Sequence, residues 1–80
     1  MKIENALKKL KAERFLIKQS ENDKRDYIAS RPDLRDTIQF MNYYGEINGI
    51  SINSHQYEGF NSDCNFTYCD NLSQALRLIR

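Results

Sequence analysis

The chain has 80 residues, a formal net charge of +1, two cysteines and one histidine. This length predicts a single domain over residues 1–80 with one modest hydrophobic core, so a deep catalytic cavity would be costly to build. No apolar run approaches the roughly 18 residues of a membrane span, and charges stand where a signal peptide needs an apolar stretch. The sequence therefore predicts a cytoplasmic protein. In that reducing compartment, free thiols are expected rather than a disulfide.

A helix over residues 2–13 is the first predicted element. Ile3, Leu7 and Leu10 recur at the spacing of one helical face. Two short β-prone segments follow, at 14–19 and 25–30, and the polar residues between them favour a turn. This part of the chain therefore reads as a helix followed by a β-hairpin.

A third strand is predicted over residues 35–42, where apolar and polar side chains alternate. Residues 43–49 then predict a turn, with Gly45 and Gly49 suited to positive φ or to a bulge. A strand is predicted over 50–54, followed by a loop of about ten residues, long enough to be a functional element. A short strand at 66–69 closes the loop.

The last predicted element is a helix over residues 71–80. Asn71 is suited to cap it, and Gln74 stands three residues on, as in a capping box. The element order predicts an α+β fold with an antiparallel sheet of three to four strands and with both helices on one face of that sheet.

Three residues raise the question of metal or nucleophilic chemistry, namely His55, Cys64 and Cys69. Structural zinc sites usually have four ligands and two pairs of them, with cysteines two to four residues apart. Here a single Cys-x4-Cys pair has one histidine nine residues upstream, and the chain contains no second pair. A cysteine and a histidine could form a nucleophile pair, but the sequence identifies no orienting third group and no oxyanion hole. We therefore expect no enzyme, no metal and no cofactor.

Charge is unevenly distributed along the chain. Residues 1–40 hold ten Lys or Arg and seven Asp or Glu, and residues 41–80 hold two and four. A basic helix could bind nucleic acid, although the neighbouring carboxylates also suit an ordinary solvated surface. The candidate nucleic-acid-binding residues are Lys8, Lys9, Lys11 and Arg14.

Residues 42–71 have the composition of a protein-binding surface. They include six Asn, three Gly, three Ser and four Tyr, the residue types that give antibody loops rigid contact area and adaptable hydrogen bonds. The alternative is that Asn and Gly only form turns and that several tyrosines face the core. The predicted partner-binding residues are Tyr43, Tyr44, His55, Tyr57, Phe60, Asn61 and Asp63.

The two ends of the chain, "KIENALKKL" at 2–10 and "YCDNLSQALRLI" at 68–79, resemble those of a group of small uncharacterised proteins of bacteriophages and other mobile elements. In that group an opening helix leads into a small sheet and the chain finishes on an "FYDNLTQAI"-like helix. The resemblance concerns packing and capping, so it implies the fold and carries over no catalytic residue. The segment 54–65 departs from the group's more charged middle.

Small phage proteins without enzymatic motifs most often occupy a surface on a host complex, and the anti-CRISPR proteins are one example. The resemblance therefore implies a non-enzymatic protein in the host cytoplasm that binds and blocks a host protein complex such as a CRISPR effector. The alternative function is a nucleic-acid-associated phage protein that acts through the basic helix, and a third is a domain that only dimerises. A monomer or a homodimer is expected, without membrane attachment.

Overall fold

A computed structural model describes the backbone of residues 1–58 and 61–80 and the side chains of residues 1–54 and 66–80. Two helices and five strands are found there, and the strands form one antiparallel sheet in the order β1-β2-β3-β4-β5. The α+β class is confirmed, but the predicted number of strands is wrong. The elements are α1 (Ile3–Ala12), β1 (Leu16–Gln19), β2 (Asp26–Ser30), β3 (Thr37–Tyr43), β4 (Glu46–Glu58), β5 (Asn61–Tyr68) and α2 (Leu72–Leu78).

Helix α1 forms where the apolar period predicts it and ends in a left-handed residue. Arg14 has φ of 68°, and its N–H donates to the carbonyl of Lys11 at 3.0 Å. The N–H of Phe15 reaches back to the carbonyl of Leu10 at 2.9 Å. This pair of bonds is the Schellman arrangement, which satisfies carbonyls at the helix end and turns the chain into β1.

Helix α2 begins with the predicted cap. The side-chain Oδ1 of Asn71 accepts from the N–H of Gln74 at 2.8 Å, and the Gln74 Oε1 accepts in return from the N–H of Asp70 at 2.7 Å. The first bond satisfies a backbone donor that the first turn of a helix would otherwise leave free, and the second satisfies the N–H of the residue before the cap.

The register places one row of apolar residues on the same side of the sheet. Ile17, Ala29, Ile38 and Ile52 lie directly across from one another on β1 to β4, and we call their side the core face. The last three are buried in one cluster with residues of both helices. α1 lies against β1 and β4, whereas α2 lies against β4, so helix positions differ in detail from the prediction. The helix residues of the cluster are Ile3, Ala6, Leu10, Leu72 and Ala75.

A bulge separates the two halves of β4. Gln39 pairs with Ser51 and Met41 pairs with Asn48, so two residues of β4 stand opposite one residue of β3. Gly49 takes φ of 57° there, which confirms its predicted use. The extra residue lets Ile47, Ile50 and Ile52 all join the core, although their spacing is not regular alternation.

The long loop predicted after residue 54 is wrong. β4 spans thirteen residues and continues to Glu58, and its pairing with β5 runs without a shift from Ser51 opposite Tyr68 to Glu58 opposite Asn61. Most of the predicted turn at 43–49 is likewise part of β4, because only Tyr44 and Gly45 separate it from β3.

Candidate protein-binding site

The candidate site is the turn between β3 and β4. Tyr43 pairs with Glu46, and the two residues between them have φ values of 50° for Tyr44 and 85° for Gly45. Two successive positive φ values identify a type I′ turn, whose twist matches the twist of the paired strands. We call Tyr43, Tyr44 and Gly45 the tyrosine turn.

Tyr44 is an unusual residue for its position in this turn. Type I′ turns favour Asn-Gly, Asp-Gly or Gly-Gly, because a left-handed backbone brings a side chain too close to the following carbonyl oxygen. The cost is roughly 1–2 kcal/mol for an ordinary L-residue. Tyrosine therefore occupies a position where asparagine or glycine would fold more easily.

Backbone and side-chain bonds hold the tyrosine turn in place. Asn42 Oδ1 accepts from the N–H of Gly45 at 2.8 Å, and the carbonyl of Gly45 accepts from the N–H of Ile3 at 2.9 Å. The carbonyl of Met1 accepts from the N–H of Ile47, also at 2.9 Å. The start of the chain thus runs beside β4 and ties the turn to α1.

Both tyrosine rings reach solvent. Tyr44 is 91% exposed and Tyr43 is 51% exposed, and their rings meet edge to face with centroids 4.6 Å apart. Such an arrangement is favourable for two aromatic rings and restricts their orientation. The pair therefore presents two adjacent aromatic rings on the surface.

Arg25 supplies a positive charge beside the rings. It lines a cleft of about 300 Å³ together with Asn42 and the tyrosine turn. Its guanidinium binds both carboxylate oxygens of Asp23, at 3.1 and 2.9 Å, and this pairing lowers the pKa of Asp23 from its ordinary value. The cleft therefore combines aromatic area with a guanidinium that its ion pair with Asp23 holds in position.

The other predicted partner-binding residues are on a different hairpin. His55 and Tyr57 occupy β4, and Asn61 and Asp63 occupy β5, but their side chains lie outside the described residues. For Phe60, both the backbone and the side chain lie outside the described residues. At about 3.3 Å per residue, the thirteen residues of β4 put the two ends of that strand roughly 40 Å apart, so the structure does not bring the predicted residues together in one patch.

Two of the residues considered for nucleophilic chemistry face each other in the ladder. The register places His55 directly across from Cys64, and both side chains lie outside the described part. Cys69 is half-buried, and burial raises the pKa of its thiol, which makes this thiol less reactive. Within side chains 1–54 and 66–80, no three His, Cys, Asp or Glu residues lie close enough to hold a metal ion.

The basic residues of the alternative function are exposed on or after α1. Lys8 and Lys11 stand one helical turn apart, and the Nζ of Lys9 donates to the Ser73 hydroxyl of α2 at 3.3 Å. Arg14 follows the helix in its left-handed conformation. These four residues thus surround the carboxyl half of α1, and Lys9 points toward α2.

The prediction missed two exposed aromatic residues. Phe66 and Tyr68 lie opposite Asn53 and Ser51, on the face of the sheet that points away from the core, which we call the outer face. Phe66 is 53% exposed and Tyr68 is 79% exposed. The alternation of "FTY" placed both residues on one side of a predicted strand, but it did not indicate which side faces solvent.

Asn53 is the second feature of the outer face that the sequence did not reveal. It is 1% exposed, and its Oδ1 has no hydrogen-bond partner among the described residues. A buried carbonyl without a donor is destabilising by about 1–3 kcal/mol. The middle of the outer face therefore contains a buried carbonyl oxygen that no described residue satisfies.

Comparison with family models, with curated proteins and with solved structures found no match. Neither helix of the described part is long and apolar enough to span a membrane.

Proposed function

We propose that this chain is a non-enzymatic protein that binds a protein partner through the tyrosine turn. One observation carries the proposal: a large ring, 91% exposed, is held at a left-handed backbone position where a smaller residue would be more stable. Residues strained in this way cluster at binding and active sites. The ring of Tyr44 contributes little burial to the fold, so its use lies outside the chain.

The chemistry of the site favours a protein as the partner. Tyrosine and arginine are the residue types that most often dominate the energy of protein interfaces, and Tyr43, Tyr44 and Arg25 line one cleft. The edge-to-face contact between the rings and the fixed turn reduce the entropy lost on binding. Tyrosine also carries a hydroxyl at the end of its apolar ring, and this hydroxyl can hydrogen-bond to groups of the partner.

The more specific form of the proposal concerns the partner and the cellular setting. We propose that the chain acts in the cytoplasm of a bacterial host and blocks a host complex such as a CRISPR effector, and only the resemblance of the chain ends supports this part. We also propose that both helices cover the core face, which leaves the tyrosine turn and the outer face accessible. The shared cluster of helix and core-face residues supports this placement.

The experiment uses the full chain as bait in a lysate of the bacterial host, with two matched variants. Tyr44→Asn removes the ring and keeps a residue that suits the turn, whereas Leu16→Asn removes an apolar side chain that is 64% exposed on β1, at the other edge of the sheet. A specific partner should be captured by the original chain and by Leu16→Asn and lost with Tyr44→Asn. Equal capture by all three chains would overturn the assignment of the tyrosine turn.

The non-enzymatic part of the proposal has its own test. Cys64→Ser and His55→Ala remove the two groups that could act as a nucleophile pair. We expect each variant to keep partner binding and inhibition. Complete loss of inhibition by Cys64→Ser in a folded chain that still binds its partner would show that chemistry, not occupancy, is responsible.

One observation favours nucleic-acid binding as the second candidate function. In the described part of the chain, the ion pairs involve the terminal ammonium, Arg25 and Arg31, and none of them uses a lysine. Lys8 and Lys11 therefore carry charge that no carboxylate in these pairs neutralises. Phosphates would be their natural partners.

A further inference from the structure

The structure contains one long sheet edge with few features that discourage pairing. β5 is the outermost strand on its side of the sheet and has eight residues. Its pairing with β4 runs without a bulge, and its sequence contains neither lysine nor proline. Proteins usually shorten, bend or charge an exposed edge to prevent association. The opposite edge follows that rule, because β1 has four residues and includes Lys18.

The hydrogen-bond pattern shows which groups of β5 point outward. The N–H of Cys69 donates to the carbonyl of Ile50 at 2.9 Å. Hydrogen-bonded and non-hydrogen-bonded pairs alternate along an antiparallel ladder, so Thr67 opposite Ile52 is bonded to β4, whereas Phe66 and Tyr68 are not. The N–H and C=O groups of Phe66 and Tyr68 therefore point away from β4, toward the space where another strand would lie.

The side chains of the same two residues add an apolar component to this edge. Phe66 and Tyr68 are adjacent on the outer face and more than half exposed. Asp63 is the one Asp or Glu in β5. A second strand laid along this edge would thus meet free backbone groups, aromatic surface and little charge.

We propose that β5 pairs antiparallel with β5 of a second copy of this chain, which joins two five-stranded sheets into one continuous sheet about a two-fold axis. The charge distribution disfavours one register. An axis at Asp63 would set the two Asp63 residues opposite each other, which is unfavourable. An axis at Asn65 sets Asp63 opposite Thr67 and pairs Cys64 with Phe66, residues that both direct their backbone groups outward.

Sedimentation equilibrium and amide hydrogen exchange test the pairing directly. Over protein concentrations from about 1 μM to about 1 mM, we expect a monomer–dimer equilibrium. Protection of the amides of Phe66 and Tyr68 should rise with concentration, whereas the amide of Thr67, which is bonded to β4, should be protected throughout. A monomer at every concentration, or a dimer in which the Phe66 and Tyr68 amides stay unprotected, would overturn the proposal.

A matched pair of variants locates the interface. Phe66→Lys places a charge on the proposed edge, and Leu16→Lys makes a similar change at a residue that is 64% exposed on the opposite edge strand. We expect Phe66→Lys to raise the dimer Kd by about tenfold or more and Leu16→Lys to leave it unchanged. Equal effects of the two variants would refute the assignment of β5. If Phe66→Lys fails to fold, Phe66→Thr, which introduces a β-branched residue of high strand propensity, should also weaken the dimer.

This proposal is independent of the proposed function. Tyr44→Asn removes the proposed binding ring, so it should abolish partner capture. It leaves β5 intact, so it should leave the dimer Kd unchanged. A Tyr44→Asn chain that no longer dimerises would contradict the placement of the interface on β5.

Discussion

Replacing Tyr44 by asparagine should stabilise the fold while removing the proposed binding group. The change relieves the crowding of a tyrosine at φ of 50°, a strain of roughly 1–2 kcal/mol that asparagine largely avoids. It also removes the edge-to-face contact with Tyr43, which contributes about 0.5 kcal/mol at the low end for aromatic pairs, because both rings are exposed. The net gain in the free energy of unfolding should be about 1 kcal/mol.

Thermal and urea unfolding, followed by far-UV circular dichroism, would measure this gain. For a domain of this size, about 1 kcal/mol corresponds to a rise in Tm of about 4–8 °C. The matched control is Tyr43→Asn, which loses the same ring contact at a position in β3 that has no positive φ. It should be less stable than the original chain, because nothing is relieved and a strand residue of high β-propensity is lost.

The comparison of these two variants decides whether strain is present at the turn. If Tyr44→Asn loses as much stability as Tyr43→Asn, the ring contact outweighs the backbone cost and Tyr44 is a structural residue. Its exposed ring would then give no reason to assign Tyr44 a functional role, because folding alone would favour a tyrosine there.

Three further predictions concern other parts of the chain. Asn71→Ala should lower the free energy of unfolding by about 1 kcal/mol in urea unfolding because the cap of α2 is lost, and Asn71→Gly should cost only a few tenths. Asn53→Val should raise it by about 1 kcal/mol, since the variant removes a buried carbonyl without a described donor; a loss of stability would show that Asn53 is satisfied. For nucleic-acid binding, the triple change of Lys8, Lys9 and Lys11 to Gln should flatten the log–log salt dependence by about three units, and unchanged binding would exclude α1 as the interface.

The helices and the first three strands could be predicted from sequence because each follows one simple rule. The helices have an apolar stripe, and α2 has the Asn71 and Gln74 cap that the structure confirms. β3 alternates cleanly, with Ile38 and Phe40 in the core. In these segments local pattern and tertiary burial agree, so the pattern is informative.

β4 could not be predicted in full because three of its properties obscure the pattern. The bulge at Gly49 puts Ile47, Ile50 and Ile52 on one face at irregular spacing. Ser51 and Asn53 are polar residues that are nevertheless buried. The strand also continues into a segment of Asn, Ser and Gln that has low β-propensity and resembles a loop, so only pairing with β5 defines it.

The position of the tyrosine turn depended on long-range contacts that composition does not encode. Residues 42–71 suggested one recognition surface, but β4 carries the chain from Glu46, next to the tyrosine turn, to Glu58 at its far end. The carbonyl of Gly45 and the N–H of Ile47 are bonded to the first residues of the chain. A sequence pattern identified exposed tyrosines, whereas only the topology showed that the second group of predicted residues lies on another hairpin.

The two proposals together have a consequence for affinity. A dimer paired through β5 presents two tyrosine turns related by a two-fold axis, because β5 and the β3–β4 turn are separate parts of the same sheet. A partner that contains the recognised surface twice would then be bound at two points, and bivalent attachment strengthens binding by about 10²–10⁴-fold when the spacing allows both contacts. A modest energy from each exposed tyrosine pair would therefore suffice for a small chain to remain on a large complex, without a deep pocket that 80 residues are poorly suited to build.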